Sequence, residues 1–260
     1  MNLKKIINKL FINFDLSLVK KSTYEKSYKQ SIKLNTYRLA DLINPKLLEK
    51  YYENINLSKS QLAQDLFVLS ELAFKKNGFF VEFGAANGIY ISNTYLLEKN
   101  FSWNGILAEP AKKWHKDLII NRAAHIETDC VWKTSNNTLS FNEVRLEGGL
   151  STLDSFSDSD GHSKTRKDGI KYDINTISLN DLLKKYNAPF MMDYLSIDTE
   201  GSEYDILSSF NFDKYKFRVI TSEHNFTQNR EKIYTLLKKQ GYERKFEDIS
   251  EFDDWYVLTN

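Results

Sequence analysis

The feature that most constrains the fold of this sequence is an apolar segment that runs directly into a turn with two glycines. Residues 79–83 are apolar apart from Glu82, and Gly84 and Gly88 follow, which predicts a buried strand, a glycine turn and then a helix. Backbone can approach a ligand closely where side chains are absent, so this pattern predicts a nucleotide-like ligand. Glu82 would repel the diphosphate of a dinucleotide, and Ala86 stands where the dinucleotide fingerprint has its second glycine. A ligand with a cationic amino-acid part, such as S-adenosylmethionine (SAM), is favoured instead.

Composition narrows the class of protein. The chain has 260 residues and a formal net charge of +1, so it can bury a full core and has no global field for nucleic acid or a membrane surface. Its one cysteine, Cys130, excludes an internal disulfide framework and fits a reducing cytoplasm. No apolar run approaches the ~20 residues that a transmembrane helix needs. We therefore expect a cytoplasmic protein with a small-molecule substrate, no nucleic-acid partner and no transmembrane segment.

Two parts of the chain differ in their pattern. Residues 1–65 predict mainly helix, and apolar residues between 3 and 14 fall at helical spacing, which predicts an amphipathic helix that packs on the core or on a second subunit. A peripheral membrane helix is the alternative for that segment. From Gln61 onward strands and helices alternate, which predicts a doubly wound α/β domain with a largely parallel sheet over residues 66–260. The predicted strands are 79–83, 105–108, 124–128, 194–197 and 218–222, with a closing antiparallel pair at 242–246 and 254–258.

Acidic residues follow the second and third predicted strands at positions that suit an adenosine ligand. Glu109 comes just past the second strand, where a carboxylate can accept both hydroxyls of a ribose. Asp129 and Cys130 come just past the third strand, where the adenine amino group would find an acceptor. Taken singly, Glu109 also fits a neighbour of a helix N-cap, and Asp129 fits a solvated loop acid. Their joint placement after successive strands favours the ligand site.

Several motifs together resemble one known family. The segment from Gly78 to Leu258 resembles the FkbM family of SAM-dependent methyltransferases, and its most specific match is Ile197–Glu203, which resembles the family's I-D-x-E-G-x-E signature. The stretches 78–88, 92–94, 103–110 and 177–182 match as well. The resemblance implies a Rossmann-like sheet of seven strands of the class I methyltransferase type, and transfer of a methyl group, commonly to a hydroxyl. The expected cofactor-binding residues are Glu82, Gly84, Ala86, Asn87, Gly88, Ser92, Glu109, Pro110, Asp129, Cys130 and Asp198.

Candidates for catalysis cluster after the fourth and fifth predicted strands. We predict that His224 is a general base, because the ordinary pKa of histidine is near working pH, and that Asp198 and Glu223 act beside it. A hydrogen-bonded histidine at a strand end is the alternative for His224. Asp198, Glu223 and Asn225 also offer hard oxygen ligands that suit Mg²⁺ or Mn²⁺. The alternative for Asp198 is that it only lines the cofactor pocket.

A polar insertion interrupts the alternation of strands and helices. Residues 147–173 are rich in Gly, Ser, Asp and Lys, lie between predicted strands at 139–145 and 175–178, and predict a lid over the site. We predict that three of its side chains clamp the phosphates of a nucleotide sugar: His162, Lys164 and Arg166. Glu200 is a further candidate for substrate binding. A solvated charged loop is the alternative for the basic residues, and a structural role at the start of a helix is the alternative for Glu200.

The sequence thus predicts an O-methyltransferase that uses SAM to modify a carbohydrate or nucleotide sugar, for example in surface polysaccharide biosynthesis. Activation of the acceptor by Mg²⁺ or Mn²⁺ is the competing mechanism to a histidine base. An O-methyltransferase for another metabolite or natural product, and a non-catalytic SAM- or nucleotide-binding module, are the alternatives. We also predict a homodimer that forms through the helices of residues 1–65.

Overall fold

A computed structural model describes residues 34–145 and 148–259 of the chain. The amphipathic helix predicted between residues 3 and 14 lies outside the described residues. The strands are β1 (Phe79–Phe83), β2 (Asn104–Ala108), β3 (His125–Glu127), β4 (Cys130–Trp132), β5 (Thr138–Glu143), β6 (Thr152–Leu153), β7 (Ile170–Ser178), β8 (Met191–Ile197), β9 (Lys216–Glu223), β10 (Tyr242–Lys245) and β11 (Asp253–Leu258).

The helices of the described residues lie mainly between strands of the main sheet. They are α1 (34–42), α2 (Leu48–Asn54), α3 (Gln64–Glu71), α4 (Tyr95–Phe101), α5 (His115–Asn121), α6 (Ser163–Arg166), α7 (Leu179–Lys185), α8 (Glu203–Ser208) and α9 (Asn229–Lys239). Short 3₁₀ turns cover Pro45–Leu47, Lys112–Trp114, Gly148–Leu150 and Asp154–Phe156. No helix within the described ranges is long and apolar enough to cross a bilayer.

The main sheet has seven strands in the order β10-β11-β9-β8-β1-β2-β3. The strands from β3 to β9 in this order are parallel, and β11 runs antiparallel to both β9 and β10. This order confirms the predicted Rossmann-like sheet of the class I methyltransferase type. The direction of connection reverses between β1 and β8, so the carboxyl ends of these two strands form the crevice in which such sheets bind ligands.

Helices cover both faces of the main sheet, because the parallel strands are apolar on both sides. Phe80 and Tyr194 lie in a core cluster with α3, α4 and α5, whereas Val81 and Leu195 lie in a second cluster with α7, α8 and α9. The side chains of β1 therefore alternate between the two clusters with the period of two that strands impose. The doubly wound prediction is confirmed.

The helical residues that precede the sheet pack on the same core. Leu39 and Tyr51 are fully buried in the cluster that contains Phe80. The Tyr51 hydroxyl donates to the Thr36 carbonyl at 2.6 Å, and the Asn35 amide donates to Glu251 at 2.7 Å. Residues 34–65 are thus joined to the α/β domain, and dimerisation through residues 1–65 stays a prediction.

A second, smaller sheet stands beside the carboxyl end of the main one. Its order is β4-β7-β5-β6, and β5 runs antiparallel to β7 over six residue pairs. The sequence predicted parts of β5 and β7 but neither β4 nor β6. The predicted lid, 147–173, is not one continuous loop here, because residues 170–173 belong to β7 and residues 152–153 form β6. Its role as a lid stays a prediction.

Candidate functional site

A cavity lies at the carboxyl ends of β1, β2 and β8, and the smaller sheet forms its opposite wall. The main sheet contributes residues 83–84 after β1, 108–110 after β2 and 198–199 after β8. The smaller sheet contributes Cys130 and Val131 from β4, Phe141 from β5, and residues 151–153 around β6. The predicted ligand crevice is therefore an enclosed space between two sheets.

The turn after β1 depends on glycine at one position. Gly84 has a φ of +77°, and a Cβ atom placed there would lie 2.3 Å from the Asp198 carbonyl oxygen. Real Cβ atoms do not approach backbone so closely, so any side chain would push the ends of β1 and β8 apart. The Gly84 amide donates to the Ala108 carbonyl at 3.0 Å, which fixes the turn to β2 as well. Gly84 thus holds three strand ends together at the cavity.

Glu109 presents a buried carboxylate to the cavity. Its Oε2 accepts the Ala86 amide at 2.7 Å and its Oε1 accepts the Ala111 amide at 2.8 Å. Burial raises the pKa of Glu109 to about 7. A carboxylate oxygen can accept more than one hydrogen bond, so both oxygens keep capacity for hydroxyl donors. Glu109 and Pro110 line the cavity as predicted.

Glu82 has a different place from the one predicted. Its carboxylate accepts the Asn93 amide at 2.7 Å and the Ser92 hydroxyl at 3.1 Å, and it lies 3.7 Å from the Arg122 guanidinium. Burial raises the pKa of Glu82, and the charge of Arg122 opposes that shift. Glu82 does not line the cavity. It holds the segment after the glycine turn instead of contacting a ligand directly.

The other predicted cofactor-binding residues near Glu82 also contact the turn and not the cavity. Ser92 is bound to Glu82, the Asn87 side chain accepts the Tyr90 amide at 2.8 Å, and the Gly88 carbonyl accepts from Arg122 at 3.0 Å. Ala86 has a φ of +45° and donates its amide to Glu109. These residues shape the turn but do not line the cavity.

Of the two residues predicted to contact adenine, Cys130 lines the cavity and Asp129 does not. Cys130 begins β4 and lines the cavity, and burial raises the pKa of its thiol to about 12. The amide of Asp129 donates to the Glu127 side chain at 3.1 Å, and Asp129 does not line the cavity.

Three carboxylates gather where β8 and β9 end. Asp198, Glu200 and Glu223 each place one oxygen within 4.8 Å of the others. Burial raises the pKa of Asp198 to about 8, with further contributions from the charges of Asp253 and Glu203. Burial and the charge of Asp198 raise the pKa values of Glu200 and Glu223 as well. We call Asp198, Glu200 and Glu223 the acid cluster.

One oxygen of the acid cluster has no hydrogen-bond partner among the described residues. It is Oε2 of Glu223, a buried acceptor to which no group in the described part of the chain donates a hydrogen bond. A buried carboxylate oxygen without a donor is costly, and a bound cation or the proton of a substrate would relieve that cost. The acid cluster therefore offers carboxylate oxygens of the kind that a divalent cation prefers, with Glu200 Oε2 already paired with Arg166.

Two of the predicted metal ligands, Asp198 and Glu223, lie together in the acid cluster, and a bound metal stays a prediction. Glu200 joins Asp198 and Glu223 in the acid cluster, whereas the Asn225 amide nitrogen donates to Glu200 Oε2 at 3.3 Å. Asn225 therefore faces the cluster as a donor. The turn geometry explains the arrangement, because Glu200 and Asn225 both have positive φ values, +59° and +44°.

His224 lies outside both the cavity and the acid cluster. His224 is only 3% exposed. Its Nδ1 accepts a hydrogen bond from the Phe226 amide at 3.0 Å, and its Nε2 lies 3.7 Å from the Asp254 carboxylate. Burial lowers the pKa of His224. The geometry is that of the alternative interpretation, a hydrogen-bonded histidine at a strand end, and does not support a general base at this position.

The basic residues of the predicted lid also divide. Arg166 is 1% exposed and pairs with Asp160 at 2.7 Å and with Glu200 at 2.6 Å. Its guanidinium is occupied by carboxylates, so the prediction that it clamps phosphates is not supported. Lys164 is exposed and His162 is half-buried, and their contact with a substrate stays a prediction.

Several residues that line the cavity were missed by sequence reasoning. Thr199 and Ser202 lie within Ile197–Glu203, the segment whose acids were predicted to be functional, so that motif could have indicated them. Phe141, Thr152 and Leu153 belong to the smaller sheet, and nothing local in the sequence shows that this sheet covers the cavity. Glu203 accepts the amides of Thr199 and Gly201 at 3.0 Å each, so it stabilises the turn instead of facing a ligand.

Comparison with known proteins identifies relatives of this chain. A family model described as the methyltransferase FkbM domain matches residues 82–252. None of the curated proteins matches. Among solved structures, methyltransferase FkbM from Methylobacillus flagellatus is 12% identical with a TM-score of 0.43, over 86% of this chain and 58% of that chain. A precorrin-6y C5,15-methyltransferase from Geobacter metallireducens is 12% identical with a TM-score of 0.38, over 74% of this chain and 85% of that chain.

Proposed function

The chain belongs to the FkbM family of SAM-dependent methyltransferases, and from this premise we propose that it transfers a methyl group to a hydroxyl of a carbohydrate or nucleotide sugar. The observation that carries the proposal is the contact between two sites. The Asp198 carbonyl touches the glycine turn of the cavity, and the Asp198 carboxylate belongs to the acid cluster. A donor site and an acid site that share one residue suit transfer of a group to a hydroxyl.

The residues around the cavity fit the methyl donor. SAM carries its methyl group on a positively charged sulfur, and therefore supplies an activated leaving group. Gly84 leaves space where a Cβ atom would collide with backbone, and Glu109 offers two oxygens to ribose hydroxyls. Cys130 and Leu153 add apolar walls that suit an adenine ring. We assign Gly84, Glu109, Pro110 and Cys130 to cofactor binding.

The acid cluster is the best candidate for deprotonation of the acceptor hydroxyl. Alignment of donor and acceptor is worth about 7–11 kcal/mol, and a general base contributes about 10²–10⁴-fold. Asp198 or Glu223 would accept the proton directly when ionised. The same carboxylates with Glu200 fit Mg²⁺ or Mn²⁺, and such a cation would lower the pKa of the acceptor hydroxyl.

Calorimetry and mass spectrometry test the proposal in sequence. We expect the protein to bind SAM and its product S-adenosylhomocysteine, and to add one methyl group to at least one member of a panel of nucleotide sugars and glycosides. Binding of both nucleosides with methylation of a non-carbohydrate metabolite alone would reject the acceptor class. Absence of binding by folded protein would reject catalysis with this donor.

A chelation experiment separates the two routes of deprotonation. If a cation is held by the acid cluster, EDTA should abolish methyl transfer and added Mg²⁺ or Mn²⁺ should restore it. Unchanged turnover in EDTA would remove the cation from the mechanism and leave the carboxylates as the base. S-adenosylhomocysteine binding in EDTA is the control, because Glu109 does not belong to the acid cluster.

A further inference from the structure

A second groove opens beside the acid cluster. It lies between residues 159–161 of the polar insertion and residues 225–229 after β9, with Gly201 and Lys232 at its border. It is lined mainly by hydroxyl and amide side chains. We call it the polar groove. Its residues were not among the predicted cofactor-binding or catalytic sets, apart from Asn225 as a metal ligand.

Two contacts join the polar groove to the acid cluster. Asn225 lines the groove and donates to Glu200 at 3.3 Å. Asp160 also lines the groove and pairs with Arg166, which pairs with Glu200 in turn. Gly201 borders the groove and the next residue, Ser202, lines the cavity. A molecule in the groove would therefore lie next to the acids, and Gly201 and Ser202 connect the groove to the cavity.

The most exposed large apolar side chain on the border of the groove is held in a strained turn. Phe226 is 71% exposed, and Asn225 and Phe226 have φ values of +44° and +55°, a conformation that side chains disfavour. Strain of this kind persists where neighbouring contacts impose it, and it concentrates at functional sites.

His224 supplies the contacts that impose the turn. Its Nδ1 accepts the Phe226 amide at 3.0 Å, and its carbonyl accepts the Thr227 amide at 2.8 Å. The rings of His224 and Phe226 meet edge to face with centroids 5.4 Å apart. The buried histidine thus orients the aromatic ring above the groove, and its role is positioning.

The chemistry of the groove indicates its ligand. A pyranose has an apolar face of C–H bonds that stacks on an aromatic ring, and hydroxyls at its rim that pair with amide and hydroxyl side chains. Asn225, Gln228 and Asn229 supply such amides beside Phe226. Lys232 adds a positive charge, and its ammonium group contacts the Asn229 side chain at 3.2 Å and the Tyr204 ring.

From these observations we infer that the polar groove binds the acceptor as a hexose ring stacked on Phe226, with an anionic substituent of the acceptor near Lys232. The inference rests on the proposed function, since it assigns the acceptor site of that reaction. Both a sugar phosphate and a nucleotide sugar have this chemistry, and they share the hexose ring and the phosphate.

The test compares matched variants by saturation-transfer NMR and by methyl-transfer kinetics. The probes are hexose 1-phosphates, nucleotide sugars and neutral methyl glycosides, each with S-adenosylhomocysteine for binding or SAM for turnover. We expect Phe226→Ala to weaken binding of the sugars by about tenfold or more, and Phe226→Tyr to restore it because the ring is kept. Phe190→Ala is the control, because Phe190 is 55% exposed at the opposite end of the sheet, next to the start of β8.

A second pair of variants tests the charge. Lys232→Ala should weaken binding of phosphate-bearing sugars by several-fold and leave neutral glycosides unchanged, whereas Lys239→Ala on the same helix should change neither. Preference for nucleotide sugars over hexose 1-phosphates, or the reverse, distinguishes the two sources. Calorimetry with S-adenosylhomocysteine checks that every variant keeps its donor site.

The outcomes separate this inference from the proposed function. Methylation of a sugar with binding that Phe226→Ala changes by less than about twofold would overturn the groove and leave the methyltransferase activity intact. Failure of the wild-type protein to bind or methylate any sugar, with S-adenosylhomocysteine still bound, would overturn the carbohydrate acceptor and the groove together.

Discussion

Two buried glutamates at the carboxyl edge of the sheet have opposite surroundings. Glu82 accepts from Ser92, Asn93 and Thr94 and lies beside the Arg122 guanidinium. Glu223 is equally buried, keeps an oxygen without a donor and lies among other carboxylates. The sequence places both at the ends of parallel strands, so position alone does not distinguish them.

The difference teaches which acid is free to act on a ligand. A buried carboxylate whose hydrogen-bond capacity is filled contributes to the fold, because its partners compensate for the loss of water. A buried carboxylate with spare capacity is retained at a cost to stability, as functional sites commonly are. We therefore treat the surroundings of Glu82 as a structural network and the acid cluster as the reactive one.

The strongest test of this comparison removes Arg122, the positively charged residue beside Glu82. Arg122 pairs with Glu98 at 2.8 Å and lies 3.7 Å from Glu82, so Arg122→Met would remove the buried positive charge beside Glu82 and leave Lys99 as the cation paired with Glu98. We expect the free energy of unfolding in urea to fall by about 3–5 kcal/mol. Arg218→Met is the control, since Arg218 is exposed and lies 3.5 Å from Asp193, and should cost less than about 1 kcal/mol. A loss for Arg122→Met as small as that of the control would contradict the structural role.

The second test exchanges each glutamate for its neutral amide. Glu223→Gln removes one of several crowded negative charges, so we expect stability to be kept or raised while methyl transfer falls by about 10²-fold or more. Glu82→Gln should lower stability, because the buried Arg122 guanidinium would lose one of the negative charges that compensate for its burial. Unfolding in urea and turnover are measured for both. Equal losses of stability in the two variants would break the comparison.

The smallest effect concerns pH at the donor cavity. Glu109 has a pKa of about 7, so its ionised fraction falls about tenfold per pH unit below that value. Ribose hydroxyls bind the ionised form best, and we expect the affinity for S-adenosylhomocysteine to fall by up to about tenfold per unit on acidification. Calorimetry across this range measures the slope. Glu109→Gln should bind weakly with a flat profile, and a wild-type profile just as flat would contradict the assignment.

The same raised pKa has the opposite sign for stability. The folded protein holds the Glu109 proton more tightly than the unfolded chain, so its contribution to stability is complete below the unfolded value and is lost as pH rises through about 7. Without ligand, stability and affinity should therefore change in opposite directions over this window.

The residues that line the cavity after β1 and β2 could be predicted, because they follow their strands directly. Gly84 and Glu109 lie at the ends of β1 and β2, and the parallel order of a βαβ chain brings such ends together. The full membership of the acid cluster could not, because it depends on side-chain direction. Glu223 turns toward the acid cluster while its neighbour His224 turns toward Asp254, which lies on a strand that sequence alone does not pair with β9.

The polar insertion shows a second limit of sequence reasoning. Arg166 reads as a solvated charge, yet it is buried against Glu200, which lies 34 residues away. Glu200 itself reaches this contact from a turn in which its φ is positive. That conformation is rarely predicted for a residue other than glycine. The fold class follows from local patterns, whereas the partners of individual charges follow from the packing of distant segments.

The close approach of Gly84 to the Asp198 carbonyl has a consequence for how such an enzyme can diversify. The spacing between the ends of β1 and β8 is set there by main chain against main chain, because no side chain fits between them. Substitutions in residues 159–161 and 225–229 would then change the lining of the polar groove and leave the distance between these strand ends unchanged.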